Sequence, residues 1–157
     1  MSEDVKATGV AIVLASGLDL LLYMRDDNPL IPHRLQWALP DGKIEEGEDP
    51  LEAAYGCLKR KFNWPRRYVE LTPLGVTPKG TAMFFGDMRR YDFPDLKPGE
   101  GAALLLSSTL GVNALIAAVG YGDKPGQLVP LVVKHWARIT GLVRREIVPY
   151  GRPISWL

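Results

Sequence analysis

The stretch from Trp37 to Trp64, WALPDGKIEEGEDPLEAAYGCLKRKFNW, constrains the fold of this chain more than any other. It begins with a short apolar segment, continues through a loop rich in glycine and acidic residues, and ends in a segment with helical spacing. Asp49 suits the N-cap of that helix, Pro50 its first position and Glu52 its third, which is the pattern of a capping box. The sequence therefore predicts a strand, an acidic loop and a capped helix in direct succession.

The predicted helix has one apolar face and one unusual residue. Its apolar residues recur at helical intervals: Leu51, Ala54, Leu58 and Phe62. Asn63 and Pro65 are expected to end the helix. Gly56 stands in its middle, where glycine costs about 1 kcal/mol relative to alanine. We expect the apolar face to pack against the core of the protein.

The segments on either side predict a mixed sheet. Strands at residues 8–14 and 19–25 are expected to form a hairpin around the Ser16-Gly17 turn. A short strand at residues 36–39 is expected to end at Pro40-Asp41-Gly42. Further elements are predicted as strands at residues 69–78, 81–93 and 102–106, and as helices at residues 109–119 and 128–142. This order indicates an α/β or α+β fold and not a doubly wound parallel sheet.

The composition fits a single domain with one core. The chain has 157 residues, of which 46% are hydrophobic and 24% charged, and we expect a core over residues 8–142 and an extended arm over residues 143–157. The net charge of +1 gives no reason to expect a nucleic-acid polymer or a membrane as a partner. The uncharged residues 101–122 are interrupted by polar residues and glycines, which favours a strand, a turn and a helix over a membrane span. Because Cys57 is the only cysteine and the first residues do not resemble a secretory signal, we expect a cytoplasmic protein.

The Trp37–Trp64 stretch resembles the Nudix box, G-x5-E-x7-R-E-U-x-E-E-x-G-U, in which U is a bulky aliphatic residue. Gly42 and Glu48 match the first two fixed positions of the box at the right spacing. Other segments are also similar to the family: Trp37, Leu39-Pro40, Glu45, Gly47, Pro50 and Glu52-Ala53-Ala54 around the box, RDDNPLIPH before it, and Pro73-Leu74-Gly75 and Gly99-Glu100-Gly101 after it. The resemblance covers about residues 10–139 and implies a Nudix-type mixed β-sheet sandwiched between helices. It also implies hydrolysis of a diphosphate compound with the help of Mg²⁺ or Mn²⁺.

The second half of the box departs from the family pattern. Where the family has one arginine and three glutamates, this chain has Gly56, Cys57, Arg60 and Lys61. In the family those glutamates hold the divalent cations that bridge the diphosphate. Positions 57, 60 and 61 share one helix face, because they are three and four residues apart. Since a hard cation needs oxygen ligands, a thiol and two basic side chains are not expected to form the usual site, and no metal cofactor is expected there.

Arg60 and Lys61 allow two interpretations. They could be a solvated basic helix end, which is favourable beside the negative end of the helix dipole. They could instead replace the metal and hold a diphosphate or another anion directly, because lysine and arginine bind phosphate well. In the second interpretation Arg25 is a further anion contact and Trp37 lines the binding pocket.

Three hypotheses of function follow from these observations. The first is a Nudix-fold protein that binds a nucleotide or another diphosphate compound, with its hydrolase activity impaired or lost, that is, a pseudoenzyme. The second is an active hydrolase of a nucleotide sugar or an ADP-ribose-like compound. It would use a reduced Mg²⁺ or Mn²⁺ site made of Glu45 and Glu48, with Glu48 and Glu100 as the catalytic residues. The third is a regulatory or interaction module that forms a homodimer through residues 102–119 or through the C-terminal arm.

Overall fold

The computed structural model describes most of the first 88 residues and separate parts of the remainder: residues 6–16, 19–25, 28–30, 35–62, 64, 69–88, 103–108, 127, 130–134, 137 and 139. The elements in these residues are β1 (Gly9–Ser16), β2 (Asp19–Met24), β3 (Trp37–Ala38), β4 (Asp41–Lys43), α1 (Pro50–Phe62), β5 (Leu71–Val76), β6 (Thr81–Asp87), β7 (Ala103–Ser108) and α2 (Pro130–Lys134). The predicted helix at residues 109–119 and the predicted arm at residues 143–157 lie outside the described residues.

The strands form one mixed sheet with the order β3-β2-β1-β6-β5, in which β4 also pairs with β1 and β7 with β2. Strands β1 and β6 are parallel over the whole length from the Gly9–Thr81 pair to the Ala15–Asp87 pair, and the other pairs are antiparallel. Strands β1 and β2 form the predicted hairpin, with Ser16 opposite Asp19. The prediction of a mixed α/β fold is confirmed.

The hydrophobic core is centred on β1, which has neighbours on both edges. Its side chains from Val10 to Ala15 are buried, as are Leu20 to Tyr23 on β2 and Ala82 to Phe85 on β6. Near the C-terminus, α2 lies within the predicted helix at residues 128–142, and Val132 is fully buried. No helix among the described residues is long and apolar enough to cross a membrane.

The strand before Pro40-Asp41-Gly42 ends at Ala38, as predicted, but the structure adds a strand that the sequence did not predict. Asp41 and Gly42 enter β4, which pairs antiparallel with the start of β1 and places Gly42 opposite Val10 and Asp41 opposite Ala11. The carbonyl oxygen of Pro40 also accepts a hydrogen bond from the Ile12 N–H at 2.9 Å. The turn residues act locally, whereas the partner strand is distant in sequence, so the pairing overrides the local signal.

Helix α1 begins where the sequence predicts. The Asp49 carboxylate accepts hydrogen bonds from the backbone N–H groups of Leu51, at 3.1 Å, and Glu52, at 3.4 Å, and so caps the helix. The buried side chains of the helix are Ala53, Ala54, Tyr55, Cys57, Leu58 and Phe62. The Tyr55 hydroxyl accepts a hydrogen bond from the Leu71 N–H at 3.1 Å, which joins α1 to β5. The predicted apolar face is therefore the face that packs on the sheet.

Candidate functional site

Helix α1 and strand β4 approach each other closely at Gly42. A Cβ atom on Gly42 would lie 2.9 Å from Arg60 Nη2 and 3.5 Å from Cys57 Cβ. Cys57 is completely buried, and its Sγ donates a hydrogen bond to the carbonyl oxygen of Asp41 at 2.9 Å. The helix face that carries positions 57 and 60 therefore faces β4.

Asp41 joins β4 to β2 through its carboxylate. Oδ1 accepts a hydrogen bond from the Tyr23 hydroxyl at 2.5 Å, and Oδ2 lies 2.9 Å from Nη1 of Arg25 in an ion pair. The side chains of Arg25 and Asp41 are 20% and 27% exposed, so both can be reached from solvent. Tyr23 is 1% exposed. Its burial, and next the negative charge of Asp41, raise the pKa of the Tyr23 hydroxyl well above its ordinary value, which keeps it protonated and donating.

Lys61 completes the arrangement from the helix side. Its Nζ lies 4.6 Å from the centroid of the Tyr23 ring, which is within the range of a cation–π interaction. Strands β2 and β4 and helix α1 thus bring together a set that we call the basic cluster: Tyr23, Arg25, Asp41, Cys57, Arg60 and Lys61. Three of its side chains are basic and one is a carboxylate. This arrangement suits an anion.

The described residues of this region do not fit a hard divalent cation. The Cys57 thiol donates a hydrogen bond to a carbonyl oxygen, and Arg60 and Lys61 bring positive charge to the same helix face. Within the described parts of the chain, no group of three or more His, Cys, Asp or Glu side chains could hold a metal ion. Mg²⁺ and Mn²⁺ require several oxygen ligands around one point, and these side chains do not supply them.

The predicted acidic residues have a different setting. Glu45 and Glu48 close a turn before α1, in which the Glu48 N–H donates to the Glu45 carbonyl at 3.0 Å and the Glu45 N–H donates to Glu48 Oε1 at 3.2 Å. Both residues are exposed. Glu100 lies outside the described residues. The catalytic and metal-binding roles of these three residues remain predictions.

Of the four predicted binding residues, three belong to the basic cluster and Trp37 does not. Arg25, Arg60 and Lys61 belong to the basic cluster, although Arg25 already binds the Asp41 carboxylate. Trp37 is half-buried, packs against the core and pairs with Met24 through β3. Their roles in binding remain predictions.

Sequence reasoning missed Asp41 because Pro-Asp-Gly has a ready explanation as a turn. A signal was nevertheless present. Tyr23 and Arg25 alternate along a predicted strand, so they project to the same side of it, and a nearby acid is the natural partner for both. The sequence did not reveal that β4 would bring Asp41 to that side.

Solved structures of low sequence identity share this fold, while no protein-family model and no curated protein matches the sequence. The Nudix hydrolase RenU from M. smegmatis has a TM-score of 0.63 and 19% identity, over 94% of this chain and 91% of that one. The MutT Nudix hydrolase from Burkholderia pseudomallei has a TM-score of 0.58 and 16% identity, over 82% of this chain and 94% of that one. The C. elegans Ap4A hydrolase has a TM-score of 0.53 and 18% identity, over 86% of this chain and 98% of that one. The chain therefore has the fold of the Nudix hydrolases.

Proposed function

We propose that this protein binds a nucleoside-diphosphate-type anion through the basic cluster, without a divalent cation, and that its hydrolase activity is impaired or lost. The observation that carries the proposal is the replacement of acidic by basic side chains on the face of α1 that meets β4. Arg60 approaches Gly42, and Lys61 lies over the Tyr23 ring. Their positive charges stand where the Nudix box would supply carboxylates for the metal.

The chemistry of the cluster supports an anionic ligand. Guanidinium and ammonium groups form charge-assisted hydrogen bonds with phosphate oxygens, and arginine does so with a planar fork of donors. The cation–π contact places the Lys61 ammonium over the ring of Tyr23. The hydroxyl group of the same tyrosine binds Asp41, whose carboxylate also binds Arg25. The C. elegans protein of the same fold is an Ap4A hydrolase, which favours a compound with linked phosphates among the anions.

Calorimetric titration in EDTA tests this proposal, with ADP-ribose and inorganic pyrophosphate as the probes. We expect binding to the native chain and at least a tenfold loss of affinity in Lys61→Glu, because a charged contact becomes a repulsive one. Lys59→Glu is the matched control. This substitution makes the same change of charge on the same helix. The side chain of Lys59 is exposed and lines a different pocket, together with Glu52, Tyr55 and Gly56. Equal losses in the two variants would contradict a specific role for Lys61.

A turnover assay separates this proposal from an active hydrolase with a reduced metal site. The native chain is incubated with nucleotide sugars and ADP-ribose in the presence of Mg²⁺ or Mn²⁺, and phosphate-containing products are measured. We expect no turnover above the uncatalysed rate. Turnover that is lost in Glu48→Gln and kept in Glu46→Gln, an exposed neighbour in the same loop, would overturn the proposal and support the hydrolase.

A further inference from the structure

Asp41 is the only carboxylate among the six residues that define the basic cluster. It binds Tyr23 through one oxygen and Arg25 through the other, at 2.5 Å and 2.9 Å. Its side chain is 27% exposed, so it borders the solvent-accessible side of the cluster and is not sealed in the core. Any anion that approaches Arg25 therefore meets this carboxylate.

Two opposing electrostatic effects act on such an anion. The three basic side chains attract it, and Asp41 repels it and already binds one of the three. One unit charge at about 8 Å, in an effective dielectric constant of about 20–40, changes an affinity by about fivefold to thirtyfold. The repulsion grows with the charge of the ligand, because each added negative charge interacts with the same carboxylate.

We infer that Asp41 is a resident anion of the site, which binds Arg25 and Tyr23 in the absence of ligand and makes the binding free energy of a phosphate anion less favourable in proportion to the charge of that anion. This inference rests on the proposed function. It makes Asp41 a specificity-determining residue. A terminal phosphate ionises a second time with a pKa of about 6, whereas a diphosphate esterified at both ends has no such group. Asp41 therefore disfavours free pyrophosphate and terminal diphosphates relative to diphosphates that carry a group at each end.

The replacement Asp41→Asn tests the inference with a small change of shape. Asparagine keeps one acceptor oxygen and removes the negative charge. Asp41→Ser removes the same charge with a shorter side chain and serves as a second variant if the first alters the fold. Asp19→Asn is the matched control, because Asp19 begins β2 and lies about 20 Å along that strand from Arg25.

The measurement is calorimetric titration in EDTA at neutral pH with inorganic pyrophosphate, ADP and ADP-ribose. We expect Asp41→Asn to bind pyrophosphate and ADP about tenfold more tightly than the native chain, with a smaller gain for ADP-ribose, which carries less negative charge. Asp19→Asn should leave all three affinities unchanged. A change in packing alone would not give gains that follow the charge of the ligand.

The outcomes distinguish this inference from the proposed function. Binding by the native chain with equal or weaker binding by both Asp41 variants overturns the inference and leaves the proposed function standing. Binding by Asp41→Asn alone supports the inference, because the resident carboxylate then excludes the ligand, and overturns the proposed function for the native chain. Absence of binding in every variant, with folding confirmed by circular dichroism, overturns both.

Discussion

The thiol of Cys57 donates a hydrogen bond to the carbonyl oxygen of Asp41 across 2.9 Å and so joins the middle of α1 to the first residue of β4. The Nudix box has a glutamate at this helix position, where a carboxylate would bind a cation. Here a protonated, completely buried thiol makes a structural contact instead. The replacement at position 57 therefore does more than remove a ligand, because the contact also fixes β4 against the helix beside Gly42.

Restoring the acidic face should restore metal binding. We predict that the combined variant Gly56→Arg, Cys57→Glu, Arg60→Glu and Lys61→Glu binds Mn²⁺ at least about tenfold more tightly than the native chain, because carboxylates replace a thiol and two cations. Calorimetric titration with MnCl₂ measures the change. Lys59→Glu adds one negative charge elsewhere on α1 and should leave the affinity as it was. A folded quadruple variant with no gain would show that the surrounding cleft, and not the helix alone, prevents the site.

The glycine in the middle of α1 should be replaceable with a gain in stability. A Cβ atom on Gly56 would meet Arg60 Nη1 at 3.6 Å, which is ordinary van der Waals contact. We predict that Gly56→Ala raises the free energy of unfolding by about 0.5–1 kcal/mol, because alanine has the higher helix propensity. Urea unfolding followed by circular dichroism measures the change.

Gly86 is the matched comparison for that prediction. A Cβ atom there would lie 2.7 Å from Leu14 Cδ2 and 3.1 Å from Leu71 Cδ2, within the core. Gly86→Ala should therefore lower the free energy of unfolding by about 1–3 kcal/mol through overpacking. The same chemical change is expected to act with opposite signs at the two positions. A loss of stability in Gly56→Ala would contradict the prediction that a methyl group is accommodated beside Arg60.

Gly42 should affect binding more than stability. A Cβ atom on Gly42 would lie 2.9 Å from Arg60 Nη2, which is the far end of a flexible side chain and can move. We predict that Gly42→Ala changes the free energy of unfolding by less than about 1 kcal/mol but weakens pyrophosphate binding severalfold, because it displaces the Arg60 guanidinium.

A substitution at Gly47 should affect stability more than binding. Its backbone has a φ of +77°, and a Cβ atom there would meet nothing within 4 Å. Gly47→Ala should lower the free energy of unfolding by about 1 kcal/mol through backbone strain and leave pyrophosphate binding unchanged. Urea unfolding and calorimetric titration of both variants check the pair. Similar binding in the two would remove Arg60 from the set of anion contacts.

Local signals made α1 and the β1–β2 hairpin predictable. The Asp49 cap, the Pro50 start and the apolar spacing of the helix all act within a few residues, and the structure has the helix at Pro50–Phe62. Strands β1 and β2 are likewise neighbours in sequence, and Ser16 lies opposite Asp19. In such elements the sequence contains both partners of each interaction within a short segment.

Contacts between distant segments were not predictable in this way. Strand β4 forms because β1 offers it backbone partners, and the parallel pairing of β1 with β6 joins the start of the chain to residues after position 80. The pairing of β4 with β1 is what brings Asp41 to its partners Tyr23 and Arg25. The sequence showed that α1 lacks the glutamates of the Nudix box. The Asp41 carboxylate, however, could be assigned to the site only once β2, β4 and α1 were placed together.

The protonated hydroxyl of Tyr23 should make stability fall at alkaline pH. The pKa of Tyr23 is raised chiefly by burial and also by Asp41, whereas an unfolded tyrosine has a pKa of about 10. Below about pH 10 both states keep the proton, so this group causes no change in stability with pH. Above about pH 10 the unfolded state loses the proton and the folded state keeps it, so the free energy of unfolding falls by up to about 1.4 kcal/mol per pH unit.

Tyr23→Phe isolates this contribution. At neutral pH the variant should be less stable than the native chain by about 1–3 kcal/mol, because the hydrogen bond to the Asp41 carboxylate is lost while the aromatic ring under Lys61 remains. Above about pH 10 the difference between the two proteins should shrink, since the variant lacks the group that opposes folding there. Urea unfolding of both proteins from about pH 7 to about pH 11.5 measures the two curves. A difference that stays constant over this range would mean that Tyr23 ionises in the folded protein as it does in the unfolded chain.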